Sequence, residues 1–413
     1  MSIGVLFICI LLPCVLQAKA SERILVPLDN YFALIYRGEI LVGSPPKPYM
    51  VVFDSGSADT WVFSSRGAGR LSGQHTYNHN ESWSYLALGA PWRIQYGNNA
   101  YAEGFLSVDD IRINGLTARY QIFAEATAVS ASLDHSDPRI DGIVGLAHRR
   151  VSVAAAPTVI DGLFAENPIP HILSFHLTSG FNEAGSLLIL GEPALSFAPQ
   201  GMHYLPLLDR SGMWVIPLEK VEAQYDQLLN ISDRTKPCAA LIDTGTSFIG
   251  VPDRLWDNTL RIVTANRSDC IFNTAKNRID CIHVSLVGLP TLRFRLDGVD
   301  FPLYPNEYML GSFLALTHLP PPQAAPSDGT DRFILGATFL KNYYLVLDYD
   351  GARIGLAIPT PPIAIPPHPW WDDWWLPILC AAWILFLHSN RDYKPPLRDC
   401  SDIALVKKIS PDK

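Results

Sequence analysis

The chain has 413 residues, enough for two domains of ordinary size together with terminal segments. Hydrophobic residues make up 48% and charged residues 17%, a balance that excludes an intrinsically disordered chain. With 32 Lys and Arg against 40 Asp and Glu, the net charge is −8, so we expect no nucleic-acid partner.

Residues 1–20 are predicted to be a signal peptide. An apolar run from Ile3 to Leu16 is followed by Ala18-Lys19-Ala20, the small-x-small pattern that signal peptidase cleaves. An uncleaved membrane anchor is the alternative, but the run is short for one. We therefore expect the mature chain to enter the secretory pathway.

The body of the chain, from Ile24 to Ile358, is predicted to be all-β with minor helices. Short β-branched and aromatic runs alternate there with Gly, Pro, Asn and Asp turns. Helical patterns are scarce. A short helix is expected over Thr158 to Glu166, and a longer one over Asp253 to Ala265, where Pro252 marks the start.

An internal repeat is the most informative feature of the body. The stretch Val51 to Ser57 ends in Asp-Ser-Gly-Ser, and Ala240 to Thr246 repeats the pattern 189 residues later as Asp-Thr-Gly-Thr. A second apolar element ending in glycine follows each copy, as Ile143-Val144-Gly145 and Ile334-Leu335-Gly336. The repeat predicts two lobes of like construction, each contributing one carboxylate.

The two carboxylates, Asp54 and Asp243, are the candidate catalytic residues. If the lobes pack about a pseudo-two-fold axis, the carboxylates meet, and two close carboxylates cannot both ionise cheaply. They then share one proton, so that one activates a water as general base while the other protonates a carbonyl. No metal or cofactor is expected. The predicted supporting residues are turn-forming glycines and hydroxyls that orient the carboxylates: Ser55, Gly56, Ser57, Thr244, Gly245 and Thr246.

Five ordered motifs resemble those of the pepsin-like, two-lobed eukaryotic aspartic endopeptidases. They are Val52-Phe53-Asp54-Ser55-Gly56-Ser57 with Trp61-Val62, Asp141 to Ala147, Gly185 to Gly191, Ile242 to Ser247, and Phe333 to Leu340 running on to Arg353 to Ala357. The resemblance covers roughly Pro27 to Ala357. It implies a bilobal pepsin-like fold with the active-site cleft between the lobes, and polypeptide substrates.

The resemblance also implies a mobile hairpin, or flap, that closes over the substrate. Its Tyr-Gly pair is Tyr96-Gly97 here, and the Tyr96 hydroxyl is expected to bond the indole of Trp61. An ordinary strand aromatic is the alternative for Tyr96, and core packing is the alternative for Trp61. The flap tip departs from the family pattern in Asn98-Asn99-Ala100.

Two further departures concern control of the activity. Ala337 stands where many acid-acting members have Asp, which predicts a less acidic pH optimum. Only Ser21 to Val26 separate the predicted cleavage site from the stretch that resembles the family's mature start, so we expect no inhibitory propeptide.

Covalent modifications follow from the secretory prediction. Cys270 and Cys281, eleven residues apart in a loop-like stretch, are the expected disulfide, and Cys238 is expected to be buried. Sequons place candidate glycosylation sites on surface loops: Asn80, Asn230 and Asn266.

The predicted domains are an N-terminal lobe over 21–200 and a C-terminal lobe over 201–358, followed by a proline-rich linker over 359–369. Residues 370–388 form a short hydrophobic segment that we expect to tether the protein as a single membrane span. An interfacial or packed hydrophobic helix is the alternative. The tail over 389–413 is expected to be cytosolic.

These observations leave three candidate functions. The first is an active aspartic endopeptidase, monomeric and membrane-tethered with a lumenal or extracellular catalytic domain, or secreted or endolysosomal. The second is a catalytically impaired homologue that acts as a peptide- or protein-binding glycoprotein. The third, a structural all-β surface glycoprotein, does not explain the paired aspartates. Both aspartates and all the hydroxyl residues expected to support them are present, which favours the endopeptidase.

Overall fold

The structure is a computed structural model that describes residues 23–67, 75–97, 100–134, 140–208, 210–225, 228–232, 238–320 and 330–358. The predicted signal peptide, the linker over 359–369, the hydrophobic segment over 370–388 and the tail lie outside these residues. Within the described ranges, no helix combines the length and the apolar character needed to cross a membrane.

The predicted all-β, bilobal pepsin-like fold class is confirmed: strands dominate the described chain. In chain order they are β1 Arg23–Tyr31, β2 Ile35–Val42, β3 Lys47–Asp54, β4 Trp61–Phe63, β5 Leu86–Gln95, β6 Tyr101–Ile113, β7 Leu116–Val129, β8 Gly142–Gly145, β9 Ile172–His176, β10 Ser186–Gly191, β11 His203–Pro206, β12 Val215–Leu218, β13 Lys220–Gln224, β14 Leu228–Asn230, β15 Cys238–Ile242, β16 Ile249–Pro252, β17 Cys270–Asn273, β18 Arg278–Cys281, β19 Thr291–Leu296, β20 Val299–Leu303, β21 Met309–Leu310, β22 Phe313–Leu314, β23 Leu316–Leu319, β24 Asp331–Leu335, β25 Tyr344–Asp348 and β26 Arg353–Ala357.

The helices are few and short, as predicted. They are α1 Ala131–Asp134, α2 Val159–Glu166, α3 Asp253–Val263, α4 Pro305–Tyr308 and α5 Ala337–Leu340, with 3₁₀ turns at His79–Glu81, Arg149–Val151 and Leu195–Phe197. Helix α2 begins one residue later than predicted because Thr158 is its N-cap, and the Thr158 hydroxyl accepts a hydrogen bond from the Asp161 amide at 3.1 Å. Helix α3 ends at Val263, two residues earlier than predicted.

Strands from both predicted lobes share one large sheet. Its thirteen strands run in the order β11-β26-β25-β9-β10-β1-β2-β3-β8-β4-β7-β6-β5. Strand β25, from the C-terminal part of the chain, pairs antiparallel with β9, placing Leu345 opposite Phe175. Smaller sheets complete the C-terminal part, in the orders β12-β15-β24-β16-β23, β14-β13-β19-β20 and β17-β18-β22-β21.

The internal repeat is visible in the strand pairing. Strand β3, which ends at Asp54, pairs in parallel with β8, and Asp54 lies opposite Gly145. Strand β15, which ends just before Asp243, pairs in parallel with β24, and Ile242 lies opposite Leu335. In each case a third strand, β4 or β16, pairs antiparallel with the second one. The two aspartates therefore emerge from equivalent positions of two equivalent three-strand arrangements.

Hydrophobic packing fixes these strands in place. The largest buried cluster includes residues from β1 to β26, so one continuous core underlies both halves of the described chain. Strand β15 and the part of β3 from Tyr49 to Phe53 are largely buried on both faces, and their sequences are accordingly continuous apolar runs. These packed strands therefore hold the backbone rigid next to each aspartate.

Candidate active site

Asp54 and Asp243, the predicted catalytic residues, are both buried at the ends of core strands. Asp54 is 5% exposed and Asp243 is 8% exposed. An isolated buried carboxylate is costly, so such groups need hydrogen-bond donors or a proton. The structure supplies both aspartates with donors from their own loops.

Each aspartate packs against the glycine of the opposite loop. A Cβ atom built on Gly56 would lie 2.6 Å from Oδ2 of Asp243, and one on Gly245 would lie 2.4 Å from Oδ1 of Asp54. Both distances are far below normal van der Waals contact, so only glycine fits at either position. The reciprocal contact brings the two carboxylates together across the interface of the repeat, as the sequence predicts.

Backbone amides and hydroxyls of the same loops orient the carboxylates. Asp54 accepts from the amide of Gly56 at 2.8 Å and from the hydroxyl of Ser57. Asp243 accepts from the amide of Gly245 at 2.9 Å, and from the amide and hydroxyl of Thr246 at 3.1 and 2.7 Å. The predicted supporting roles of Ser57 and Thr246 therefore agree with their contacts.

The other two predicted hydroxyl supports, Ser55 and Thr244, bond the opposite loop instead of a carboxylate. The Ser55 amide donates to Oγ1 of Thr244 at 3.0 Å, and the Thr244 amide donates to Oγ of Ser55 at 2.9 Å. Each hydroxyl then donates across the interface, from Ser55 to the Ile242 carbonyl at 2.8 Å and from Thr244 to the Phe53 carbonyl at 2.6 Å. These four bonds lock the loops to each other and position the carboxylates indirectly.

The electrostatics of the pair follow from this geometry. Burial raises the pKa of Asp54, and the negative charge of Asp243 raises it further, while the bonds from Ser57 and Gly56 act in the opposite direction. The Asp54 carboxyl therefore keeps a proton at a pH where an exposed aspartate has lost it. Two adjoining carboxyls holding one proton can act as a general acid and a general base together.

The predicted flap is the hairpin of β5 and β6. Tyr96 follows β5, and its amide donates to the Ala100 carbonyl at 2.8 Å. The indole of Trp61, which is fully buried, donates to the Tyr96 hydroxyl at 2.8 Å, as expected. Gly97 lies beyond Tyr96 with open space around its Cα, and the tip residues Asn98 and Asn99 lie outside the described residues.

Asp59 is a buried acid beside the site that the sequence reasoning did not single out. Its carboxylate accepts from the Ser152 hydroxyl at 2.8 Å and from the amides of Val153 and Ala154 at 2.8 and 3.0 Å. It therefore fixes the segment after β8 against the loop that carries Asp54. Its position five residues after Asp54 was the available signal, but an aspartate in a loop is commonly solvent-exposed.

The remaining predicted positions lie away from the aspartates. Cys270 and Cys281 are joined in the expected disulfide, and Cys238 is buried as expected. All three sequon asparagines have exposed side chains, at Asn80, Asn230 and Asn266. Within the described ranges, no group of three or more His, Cys, Asp or Glu side chains is arranged to hold a metal ion.

Comparison with known proteins gives one family and a set of relatives. A family model described as eukaryotic aspartyl protease matches residues 35–358. Pepsin F of Oryctolagus cuniculus is 32% identical over 335 residues, covering 80% of this chain and 83% of the relative. Cathepsin E of Aquarana catesbeiana is 29% identical over 350 residues, covering 83% of each. A pregnancy-associated glycoprotein of Equus caballus is 29% identical over 346 residues, covering 80% and 83%.

Proposed function

The chain belongs to the eukaryotic aspartyl protease family, and we propose that it is an active aspartic endopeptidase that cleaves polypeptides with a water molecule activated between Asp54 and Asp243. The observation that carries the proposal is the reciprocal packing of each carboxylate on the opposite glycine, Gly245 or Gly56. The arrangement needs both aspartates, both glycines and both loops, all of which are present.

In the proposed mechanism the two carboxyls hold a single proton. Because burial and the neighbouring Asp243 raise the pKa of Asp54, the mechanism assigns that proton to Asp54 and the role of base to Asp243. The ionised carboxylate removes a proton from water as the water attacks the peptide carbonyl, and the protonated carboxyl donates to the carbonyl oxygen. The product is a neutral tetrahedral diol.

Collapse of the diol completes the reaction. Asp243, now protonated, gives its proton to the peptide nitrogen as the C–N bond breaks, and Asp54 takes a proton from a diol hydroxyl as the carboxylic acid product forms, so the pair again holds one proton. The amide and hydroxyl donors on each carboxylate keep the two groups in fixed orientations throughout. Preorganised donors of this kind lower the barrier because the site does not rearrange as charge develops.

The flap contributes to substrate binding in this proposal. The Trp61 indole donates to the Tyr96 hydroxyl, which fixes the ring beside the turn of the hairpin. Closure of the hairpin over an extended peptide would exclude bulk water from the carboxylates. Tyr96 and Gly97 are therefore proposed as substrate-contacting residues and Trp61 as a positioning residue.

The proposed setting is the secretory pathway. It is supported by the predicted signal peptide over 1–20, by the Cys270–Cys281 disulfide, and by the exposure of all three sequon asparagines. We propose that residues 370–388 tether a monomeric lumenal or extracellular catalytic body. Deletion of 370–388 would then release the protein into the medium, whereas retention on membranes would contradict the tether.

Cleavage of a quenched fluorogenic peptide by the full-length protein tests the catalytic proposal. Asp54→Asn and Asp243→Asn should each lower kcat/KM at least about a thousandfold, since either change removes the shared-proton pair. A pepstatin-type inhibitor should abolish the cleavage by the unmodified protein.

Asp257→Asn is the matched control, because Asp257 is an exposed aspartate on α3, and it should keep full activity. Thermal unfolding establishes that all variants are folded. A folded unmodified protein without activity between about pH 3 and 7 would favour the peptide-binding homologue, and activity that survives either active-site substitution would contradict the dyad.

A further inference from the structure

Among the residues that the structure describes, a cluster of exposed aliphatic side chains follows the disulfide in one short stretch. We call residues 282–287 the apolar loop. Its members are strongly exposed: Ile282 at 77%, Val284 at 72%, Leu286 at 47% and Val287 at 81%. Ile271, on the paired strand beside Cys270, is 66% exposed. Single exposed aliphatic residues are ordinary, but a contiguous group of this kind marks an interaction surface.

A buried arginine braces the backbone of the apolar loop. Arg267 is 7% exposed, and its guanidinium donates to the carbonyls of His283 at 2.8 Å, of Ser285, and of Val287 at 3.5 Å. The same guanidinium is paired with Asp269, through Nε at 2.7 Å and Nη2 at 2.9 Å. The loop is therefore held in one conformation with its aliphatic side chains directed outward.

Most of the polar backbone groups of the apolar loop are satisfied inside the protein. Asp269 accepts from the amide of His283 through its carboxylate at 3.0 Å, and from the amide of Ile282 through its carbonyl at 3.0 Å. The amide of Val287 donates to Ser285 Oγ at 3.3 Å, and the carbonyl of Leu286 accepts from Leu289 at 3.3 Å. This pairing lowers the cost of moving the loop out of water.

The charge of the apolar loop also suits an apolar environment. Residues 282–287 contain no Asp, Glu, Lys or Arg, and His283 is their one titratable residue. The Nδ1 atom of His283 lies 3.2 Å from the Asp269 carboxylate, whose pKa is lowered by the hydrogen bond from Arg267. The Arg267–Asp269 ion pair thus lies behind the loop, whereas the outer face carries the aliphatic side chains together with His283, which is 77% exposed.

We propose that the apolar loop is a lipid-docking surface that inserts into the headgroup region of a membrane. The chain beyond the described residues supports this occupant over a protein partner. It continues for 55 residues after Ile358 and includes the hydrophobic segment over 370–388, separated from the body by only eleven linker residues. A body tethered so closely stays within reach of the bilayer, and a rigid aliphatic loop can then orient it. The inference rests on the proposed tether.

Lipid photo-labelling of the full-length protein tests the proposal at residue resolution. The protein keeps its glycans, because the backbone of the Asn266 sequon adjoins Gly288 and a glycan there is part of the surface under test. It is bound to phosphatidylcholine vesicles doped with a phospholipid that carries a diazirine in the upper acyl chain. Labelled peptides are then mapped by mass spectrometry. We expect at least about ten times more label on 282–287 than on the peptide that contains Leu195, an exposed aliphatic residue elsewhere.

The variant Ile282→Ser/Val287→Ser should lose at least about nine-tenths of the loop label with an unchanged melting temperature, because both side chains are exposed. The matched control Leu195→Ser/Leu228→Ser removes two exposed leucines and should label the loop as the unmodified protein does.

Label on 370–388 with none on the apolar loop would overturn the docking surface and leave the tether standing. Label on neither segment would overturn both. Sedimentation velocity, with both proteins in the same detergent, tests whether a second copy of the chain covers the apolar loop instead of lipid. If the unmodified protein and the Ile282→Ser/Val287→Ser variant sediment equally, the result supports the lipid-docking surface. A dimer that forms only with the intact loop overturns that proposal. Peptide cleavage is measured separately, so failure of the catalytic proposal is distinguishable.

Discussion

The two halves of the described chain, residues 23–200 and 201–358, carry matching aspartate loops. The rest of each half, which we call its frame, is stabilised by different contacts. In the first half, Asp109 and Glu125 are fully buried carboxylates held by hydroxyl donors, among them Ser107, which donates to Glu125 at 2.7 Å. Surface arginine–acid pairs occur in both halves, as Arg119–Glu166 at 2.9 Å in the first and Arg295–Asp300 at 2.6 Å in the second, but in the second half a disulfide also closes one hairpin.

The contrast shows that the geometry of the site does not depend on how each half is stabilised. The same loop conformation arises wherever an apolar strand runs into Asp, a hydroxyl residue and Gly beside a parallel strand. What the two loops share is their contact with each other. Perturbing the loops should therefore affect activity, whereas perturbing the frames should affect stability and leave the chemistry intact.

The strongest way to break the symmetry is to add a methyl group between the loops. Gly245→Ala places Cβ against Asp54, and Gly56→Ala places it against Asp243, so each should displace the opposite carboxylate. We expect a fall in kcat/KM of about a thousandfold for either variant. Gly201→Ala, at a glycine with open space around it and a φ of +93°, adds backbone strain away from the aspartates and should retain activity, so it separates a loss of stability from a loss of catalysis. Unequal losses would show that one loop adapts where the other cannot.

The disulfide should contribute to the frame of the second half alone. Replacing Cys270 and Cys281 by alanine opens an eleven-residue loop and should lower the free energy of unfolding by about 3 kcal/mol. Chemical denaturation measures this loss, and kcat of the folded fraction should be unchanged. A large fall in kcat at full folding would mean that this frame does control the site.

The interlocked hydroxyls should be equivalent between the halves. Ser55→Ala and Thr244→Ala each remove two hydrogen bonds and leave buried backbone groups unpaired, so each should cost about 2 kcal/mol of unfolding free energy. Ser55→Thr keeps the hydroxyl and should recover most of the stability. If Ser55→Thr were as damaging as Ser55→Ala, the hydroxyl would not be the group that matters.

A further expected effect is a pH-dependent gain in stability for the Asp54→Asn variant. Because the pKa of Asp54 is raised in the folded state, the folded protein binds that proton more tightly than the unfolded chain does. Stability is therefore lost as pH rises from about 4, the ordinary aspartate pKa, toward the raised value. Asp54→Asn should melt at a higher temperature than the unmodified protein at pH 7, with the advantage absent at pH 3. Identical melting curves at pH 7 would contradict the raised pKa.

The sequence was informative where a local pattern determines the structure. The spacing of the repeat located Asp54 and Asp243, the alternation of turns and apolar runs indicated the β architecture, and Thr158 marked the start of α2. These features depend on neighbouring residues, whose preferences can be interpreted without a fold.

The sequence was less informative where a side chain has several candidate partners. Ser55 and Ser57 are similar neighbours, yet Ser57 bonds a carboxylate and Ser55 bonds a strand 187 residues away. Asp59 and Glu125 likewise carry no mark of burial, because their donors come from distant segments. Such choices are made by tertiary packing, which places one donor rather than another within reach.

The pH dependence of kcat/KM for the full-length protein tests the shared-proton pair most directly. The raised pKa of Asp54, together with Ala337 in place of an aspartate near Asp243, predicts a bell-shaped profile with an optimum above about pH 4. Its alkaline limb should mark loss of the shared proton. An optimum below about pH 4, or a rate that stays constant through neutral pH with no alkaline limb, would contradict the account.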